Sequence, residues 1–137
     1  MSTDLTVNGT DVDVVAAGFG SLAQGDLAGF GAMFADDATW NHHNDDRFGG
    51  VKSGRDAIVG YIGDSAQLTA GTLRPVPRSM SGDGRGTVCV VVDLSATRPD
   101  GRTLADGQVL VLSVEGGYVQ TVDQYIGDPS AVAAFWA

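Results

Sequence analysis

The sequence predicts an α+β fold in which helices pack on one face of a curved, mainly antiparallel sheet. In the first half of the chain apolar residues recur at helical spacing, and after Gly71 the period changes to that of strands. Two tight-turn signals, Pro99-Asp100-Gly101 and Gly116-Gly117, join the later strands into a meander. Helices followed by a run of strands are typical of an α+β domain. We therefore expect three N-terminal helices on the concave face of the sheet, around a cone-shaped space.

The helical half divides into three periodic segments. Residues 1–10 are polar and are expected to form a flexible lead-in, and residues 11–137 a single domain. The apolar spacing predicts helices over 11–24, 27–34 and 54–71. Gly18 and Gly20 lower the helical propensity of the first segment, which suggests that something packs close to its backbone.

The strand-forming segments are short before the third helix and long after it. A first strand is predicted over 38–43, followed by a polar loop. Pro75 and Pro77 restrict the segment 72–80 to a sheet edge or a bulge, because proline cannot donate to the ladder. The remaining strands are expected at 87–98, 103–115 and 118–126. Asp128 and Pro129 then open a C-terminal helix as its cap and first residue.

Charge excludes several classes of partner. The chain has 17 acidic and 8 basic residues among 137, for a net charge of −9. Nucleic acids and anionic membrane surfaces bind basic proteins, so neither is an expected partner. No apolar stretch reaches the length of a membrane span, and the N-terminus lacks the pattern of a signal peptide. The expectation is a cytoplasmic protein.

The stretch 33–47 concentrates most of the groups that can move a proton near neutral pH. Strand alternation places His42 on one face with Ala38 and Trp40, and His43 on the other face. Histidine suits acid–base work at neutral pH, although an isolated strand histidine also fits a structural role. We interpret the face of Trp40 and His42 as the interior of the cone.

The same stretch has a superficially metal-like composition. Adjacent strand side chains diverge, so His42 and His43 are not placed to share one ion. Asp45 and Asp46 follow in the loop, without a His-x-His or Glu-x-x-His spacing. We expect no metal and no cofactor, and we interpret the loop 44–47 as a solvated rim.

Several landmarks together resemble the SnoaL-like branch of the nuclear transport factor 2-like superfamily. They are Gln24-Gly25-Asp26-Leu27, Phe34-Ala35-Asp36-Asp37-Ala38-Thr39-Trp40, Gly54-Arg55-Asp56-Ala57-Ile58, Arg98-x-Asp100-Gly101-Arg102, Tyr125-x-x-Asp128 and Phe135-Trp136-Ala137. The resemblance spans residues 12–137 and implies a cone-shaped, cystatin-like α+β barrel. The superfamily includes isomerases, polyketide cyclases, epoxide hydrolases, dehydratases and non-catalytic binding modules, so the fold alone does not choose a function.

Ketosteroid isomerases carry a similar Ala-Asp-Asp-Ala-Thr run. Three residues after its threonine they place their carboxylate base, and His42 occupies that position here. The resemblance thus implies that His42 projects into the cone. The oxyanion-hole donors of those enzymes correspond to about Gly18 and Leu110, so both donors are absent and steroid isomerisation is not expected.

The last strand offers further candidates. Alternation puts Asp123 and Tyr125 on one face and Gln124 on the other, but apolar residues occur on both, so the pattern leaves the inner face undecided. Some SnoaL-like proteins place an acidic residue of this strand in the pocket, which makes Asp123 the implied partner of His42. The expected substrate-binding residues are Trp40, Tyr61, Tyr125 and Gln108.

Two functions remain open from the sequence. The first is a cofactor-independent enzyme that performs isomerisation, aldol cyclisation, dehydration or epoxide hydrolysis on a small apolar or polycyclic metabolite. The second is a non-catalytic ligand-binding or accessory dimer of the same fold. Apolar residues on both faces of 88–92 and 109–112 predict a homodimer through the outer face of the sheet, since the helices cover only one face.

Overall fold

The computed structural model describes the backbone of residues 3–137 and the side chains of residues 10–137, and it confirms the predicted α+β class. In chain order the elements are α1 Thr3–Ala23, α2 Leu27–Gly31, β1 Phe34–His43, β2 Gly50–Ser53, α3 Arg55–Leu68, β3 Arg74–Gly82, β4 Thr87–Thr97, β5 Thr103–Glu115, β6 Tyr118–Tyr125 and α4 Pro129–Trp136. None of the helices in this part of the chain is both long and apolar enough to span a membrane.

The strands form one curved, unclosed six-stranded sheet in the order β2-β1-β6-β5-β4-β3. All neighbours are antiparallel except β1 and β6, which are parallel and bring His42 opposite Gln124. Strand β3 lies at an edge, and its register shifts between Pro77 and Ser79. The two prolines predicted a sheet edge or a bulge, and both are found here.

Three boundaries differ from the sequence prediction. Helix α1 begins at Thr3, so residues 3–10 of the predicted lead-in continue the helix, and residues 1–2 lie outside the described residues. Helix α2 ends at Gly31, and the segment from Phe34 already belongs to β1. Strand β2 forms where a loop was predicted, because pairing with β1 provides its hydrogen bonds despite a sequence poor in strand-forming residues.

The core lies between the helices and the concave face of the sheet. Residues at even positions from Leu104 to Val114 are buried in β5, and those at even positions from Val88 to Val92 are buried in β4. Gly18 is the point of close approach in α1, since a Cβ there would collide with Met33 Sδ. Gly20 has no atom within 4 Å of such a Cβ, so only one of the two glycines has the expected packing reason.

Phe34 at the start of β1 is the residue whose truncation we expect to destabilise the core most clearly. Its side chain is fully buried, and its ring centroid lies 5.3 Å from that of Phe30 and 6.2 Å from that of Trp40. Phe34→Ala is expected to lower the free energy of unfolding by about 3–5 kcal/mol in urea denaturation, because the lost contacts leave a cavity. Tyr118→Ala is the control, since Tyr118 is 49% exposed. Equal losses in the two variants would contradict the placement of Phe34 in the core.

Candidate functional site

A cavity of about 700 Å³ lies between the helices α1, α2 and α3 and the concave face of the sheet. Its walls are mostly apolar and include five aromatic side chains, which are Phe19, Phe30, Trp40, Tyr61 and Trp136. Five side chains that line it share one hydrogen-bond network, which are Trp40, His42, Tyr61, Gln108 and Gln124. This combination of an apolar chamber and a few convergent polar groups is typical of a small-molecule site.

His42 is held in the wall by partners on both ring nitrogens. It lies on the buried face of β1 with Ala38 and Trp40 and is 2% exposed. Its Nδ1 atom is 2.9 Å from the Tyr61 hydroxyl and 3.2 Å from Gln124 Oε1. Its Nε2 atom is 2.8 Å from Asp46 Oδ2. The imidazole therefore has a carboxylate on one side and cavity-lining groups on the other.

Asp46 fixes which ring nitrogen of His42 carries the proton. The loop after β1 folds back so that the Asp46 side chain is fully buried, and Oδ1 accepts the backbone N–H of Phe48 at 2.8 Å. Oδ2 accepts from Asn44 Nδ2 and faces His42 Nε2, both at 2.8 Å. A carboxylate in this position only accepts, so Nε2 carries the hydrogen and the neutral imidazole has its lone pair on Nδ1.

Gln124 directs its side-chain carbonyl oxygen towards His42 Nδ1 and the Tyr61 hydroxyl. Trp40 Nε1–H, which can only donate, is 2.8 Å from Gln124 Oε1 and fixes that atom as the oxygen. The Tyr61 hydroxyl also donates to Gln124 Oε1 at 2.9 Å. This hydroxyl therefore has two acceptors at the same distance of 2.9 Å, Gln124 Oε1 and His42 Nδ1, for its single proton.

The network ends at a second buried carboxylate. Gln124 Nε2 donates to Gln108 Oε1 at 2.8 Å, and Gln108 Nε2 donates to Asp106 Oδ2 at 3.1 Å. Asp106 also accepts the backbone N–H groups of Gly127 and Asp128, at 3.1 and 2.9 Å. The hydrogen-bonded chain therefore has a carboxylate at each end. It runs from Asp46 through His42, Tyr61, Gln124 and Gln108 to Asp106.

Burial shapes the titration of the groups around His42. Burial raises the pKa of Asp46, but the hydrogen bonds from His42, from the Phe48 backbone and from Asn44 outweigh it and hold this pKa below its ordinary value. Burial raises the pKa of Tyr61 well above that of an exposed phenol, and the Asp46 charge adds to the increase. Burial lowers the pKa of Lys52, whose ammonium lies 4.8 Å from the centroid of the Tyr61 ring. Near neutral pH these shifts favour an ionised Asp46 and a protonated Tyr61.

The structure separates Asp123 and Tyr125 from the cavity, which corrects two expectations. Asp123 Oδ1 is 2.7 Å from His43 Nε2 on the outer face of the sheet, and 40% of the Asp123 side chain is exposed. Tyr125 is 48% exposed and stacks in parallel on His43, with 4.8 Å between the ring centroids. The parallel register with β1 turns Gln124 inward beside His42, so its neighbours Asp123 and Tyr125 face outward.

Trp40, Tyr61 and Gln108 lie in the cavity wall, where the sequence predicted the substrate-binding residues, and their roles remain predictions. Sequence reasoning missed Asp46, Gln124 and Asp106. The sequence pattern predicts Asp46 in a solvated rim, yet its side chain is buried. The clear alternation of Leu104, Leu110 and Leu112 in β5 was the available signal for Asp106, since it shares their parity and their buried face.

Comparisons with known proteins agree with this architecture. The sequence model of the SnoaL-like domain matches residues 15–124, so the chain belongs to the SnoaL-like family, as its landmarks had indicated. The Mycobacterium tuberculosis protein Rv0034, which is uncharacterised, is 31% identical over 127 residues that cover 93% of this chain and 96% of that protein.

Solved structures of other proteins share the fold. Bal32a, from a soil-derived mobile gene cassette, has a TM-score of 0.91 at 24% identity, with 96% of this chain and 99% of that chain covered. TerC, co-crystallised with polyporic acid, has a TM-score of 0.80 at 19% identity, with 92% and 97% of the two chains covered. At these identities the similarity establishes the fold and leaves the chemistry to the residues of this chain.

Proposed function

We propose that this protein is a cofactor-independent enzyme that moves a proton on a small apolar or polycyclic carbonyl compound held in the cavity. The observation that carries the proposal is the arrangement of His42 and Tyr61 in the wall of an apolar chamber, with Asp46 behind His42 on its Nε2 side. Burying such a polar chain is costly unless every member is paired. Its position on a cavity of substrate size supports a chemical role for it.

The hydrogen bonds accommodate both protonation states of His42 without movement of heavy atoms. With Nδ1 unprotonated, the Tyr61 hydroxyl donates to it at 2.9 Å. With Nδ1 protonated, the imidazolium donates to the Tyr61 oxygen, and the hydroxyl turns to Gln124 Oε1 at 2.9 Å. Asp46 stabilises the imidazolium from the other side, as a carboxylate does in other histidine-based sites.

Proton transfer would follow from this geometry as a relay. The Tyr61 oxygen receives a proton from a carbon next to the ligand's carbonyl group while its own proton passes to His42 Nδ1. The transfer is concerted, so no free phenolate forms, consistent with a Tyr61 pKa raised by burial. Enolisation of this kind begins isomerisation, aldol cyclisation and many dehydrations.

The second candidate is a non-catalytic ligand-binding module. One observation favours it, which is that partners from the protein occupy both ring nitrogens of His42. TerC, co-crystallised with polyporic acid, supports small-molecule binding by this fold and is consistent with either function.

Deuterium exchange separates the two functions without knowledge of the natural substrate. We expect the protein to accelerate incorporation of deuterium from D₂O into enolisable ketones such as α-tetralone and 1-indanone, followed by mass spectrometry against a protein-free reference. Saturation of the rate with ketone concentration shows that exchange occurs at a site. A ketone that binds but exchanges at the protein-free rate would contradict the enzymatic proposal. The non-catalytic binding module would then be the remaining candidate.

We also propose that the protein forms a homodimer through the outer face of the sheet. Val91, Val109 and Tyr125 lie side by side on neighbouring strands in register, and each is 38–48% exposed. His43 continues this row on β1, opposite Tyr125. A contiguous apolar row on an exposed sheet face is typical of an interface.

Sedimentation equilibrium at micromolar concentration tests the dimer. The wild-type protein is expected to sediment as a dimer, and Val109→Lys as a monomer, because it buries an unpaired charge in the centre of the row. Ala16→Lys adds the same charge on the exposed face of α1 and is expected to remain dimeric. A wild-type monomer, or identical behaviour of the two variants, would contradict the proposed interface.

A further inference from the structure

The amide groups of Gln108 and Gln124 have a fixed direction. Asp106 accepts two backbone N–H groups and so presents an acceptor to Gln108, which must turn its Nε2 atom towards it. At the other end Trp40 Nε1–H requires the oxygen of Gln124. Asp106 at one end and Trp40 at the other are independent of each other. Both require Gln124 Nε2 to donate to Gln108 Oε1.

The side-chain amides of Gln108 and Gln124 each have one N–H group without a hydrogen-bond partner among the described residues. Each amide nitrogen carries two hydrogens. Gln124 Nε2 uses one of them on Gln108 Oε1, and Gln108 Nε2 uses one on Asp106 Oδ2. Among the described side chains neither nitrogen makes a second bond, and both residues line the cavity while being only 3% and 5% exposed. A buried donor without a partner is costly, so the occupant of the cavity has reason to supply an acceptor.

The charges around the cavity favour the same kind of occupant. The chain has a net charge of −9, yet no carboxylate is among the described residues that line the cavity, and its one guanidinium is that of Arg74. Arg74 Nη1 donates to the backbone oxygens of Gly71 and Leu73, and the guanidinium makes no other hydrogen bond in the described part of the chain. The wall thus suits an electron-rich ligand better than a cationic one.

We propose that the side-chain N–H groups of Gln108 and Gln124 together bind a carbonyl or enolate oxygen of the ligand. The ligand class is then an apolar, ring-containing molecule with an oxygen acceptor at its buried end. This inference deepens the proposed function, and it rests on that function for the use of the cavity. The amide pair takes the role of the donors that the ketosteroid isomerases have and this chain lacks at Gly18 and Leu110. Two such donors stabilise charge that develops on an enolate oxygen.

The test uses fluorenone, a rigid ketone that cannot enolise, and fluorene, the hydrocarbon of the same shape. Because fluorenone has no exchangeable carbon acid, its binding is independent of catalysis, and a protein that fails the deuterium assay can still pass this one. We expect fluorenone to bind about tenfold more tightly than fluorene, which corresponds to one net hydrogen-bond advantage. Gln108→Met, of similar volume, is expected to lower this ratio, because one of the two donors is lost.

A second measurement does not depend on the stability of a variant. The infrared carbonyl stretch of fluorenone bound to the wild-type protein is expected to shift to lower frequency than in hexane, because donors weaken the C=O bond. Gln120→Met, whose amide donates to the backbone oxygens of Glu115 and Tyr118 away from the cavity, is the control and is expected to keep both the ratio and the shift. A ketone that binds no more tightly than the hydrocarbon, including one that does not bind, overturns the proposal, and so does an unshifted stretch.

Discussion

His42→Gln is expected to lower the rate of deuterium exchange by about 10²–10⁴-fold, the usual contribution of a positioned acid or base. Glutamine fills a similar volume and can still bond to Asp46 and Tyr61, but it cannot accept a proton at neutral pH. Because the packing is retained, we expect saturation to occur at a similar ketone concentration. The effect should therefore appear in the maximal rate.

His43→Gln is the matched control for this variant. His43 is adjacent in sequence and also faces an aspartate, Asp123, at 2.7 Å, but it lies on the outer face of the sheet. The exchange rate of His43→Gln is expected to stay within a few-fold of wild type in a sample whose oligomeric state has been verified. Equal losses in the two variants would refute the assignment of the base to His42.

Asp46→Asn is expected to reduce the exchange rate by a similar factor through a change of tautomer at His42. The backbone N–H of Phe48 cannot turn, whereas the Asn44 amide that donates to Oδ2 can flip to present its oxygen. We therefore expect the oxygen of the new amide at Oδ1 and its NH₂ group facing His42 Nε2. Two donors cannot face each other, and the imidazole proton moves to Nδ1. The lone pair then points away from Tyr61, and the relay loses its acceptor.

Nitrogen-15 chemical shifts of the imidazole report this change directly. In the wild type we expect the unprotonated shift at Nδ1 of His42, and in Asp46→Asn at Nε2. Asp123→Asn, on the outer face, is expected to change the shifts of His43 and leave those of His42 as they are. An unchanged His42 tautomer in Asp46→Asn would remove the proposed role of Asp46.

The same variant has a pH signature in stability. The pKa of Asp46 is held below its ordinary value, so its stabilising contribution is present above the pKa of an unfolded aspartate, about 3.9, and is lost as pH falls through the folded-state value. The free energy of unfolding of the wild type should therefore exceed that of Asp46→Asn at neutral pH, and the difference should shrink below about pH 4. A difference that does not change with pH would contradict an ionised, hydrogen-bonded Asp46.

The periodicity of apolar residues predicted the helices and the meander, because apolar residues recur wherever a helix or a strand has a buried face. Strand β5 was predicted at its observed bounds, Thr103–Glu115, since turn signals flank a long alternating run. The same alternation correctly placed His42 on the buried face of β1 with Trp40. These predictions depend on local pattern, and for His42 the resemblance to the ketosteroid isomerases indicated the same face.

The parts that failed depend on how distant segments meet. The face on which Asp123 lies could not be predicted from the sequence of β6. A register shift in the pairing of β5 with β6, between Ser113 and Val114, breaks the correspondence between sequence position and sheet face. The burial of Asp46 results from the conformation of its loop, in which the backbone N–H of Phe48 turns back to the carboxylate. No periodic pattern encodes such a turn.

The two sides of the imidazole differ in how far along the chain their partners are. Asp46 follows His42 by 4 residues, whereas Tyr61 and Gln124 lie 19 and 82 residues away. The carboxylate–imidazole pair is thus a contiguous segment that could be transplanted into another strand-and-loop scaffold as a unit. The acceptor side cannot be moved in this way, since α3 and β6 must both be assembled before it exists, and a graft of the segment alone would transfer an oriented histidine without its relay.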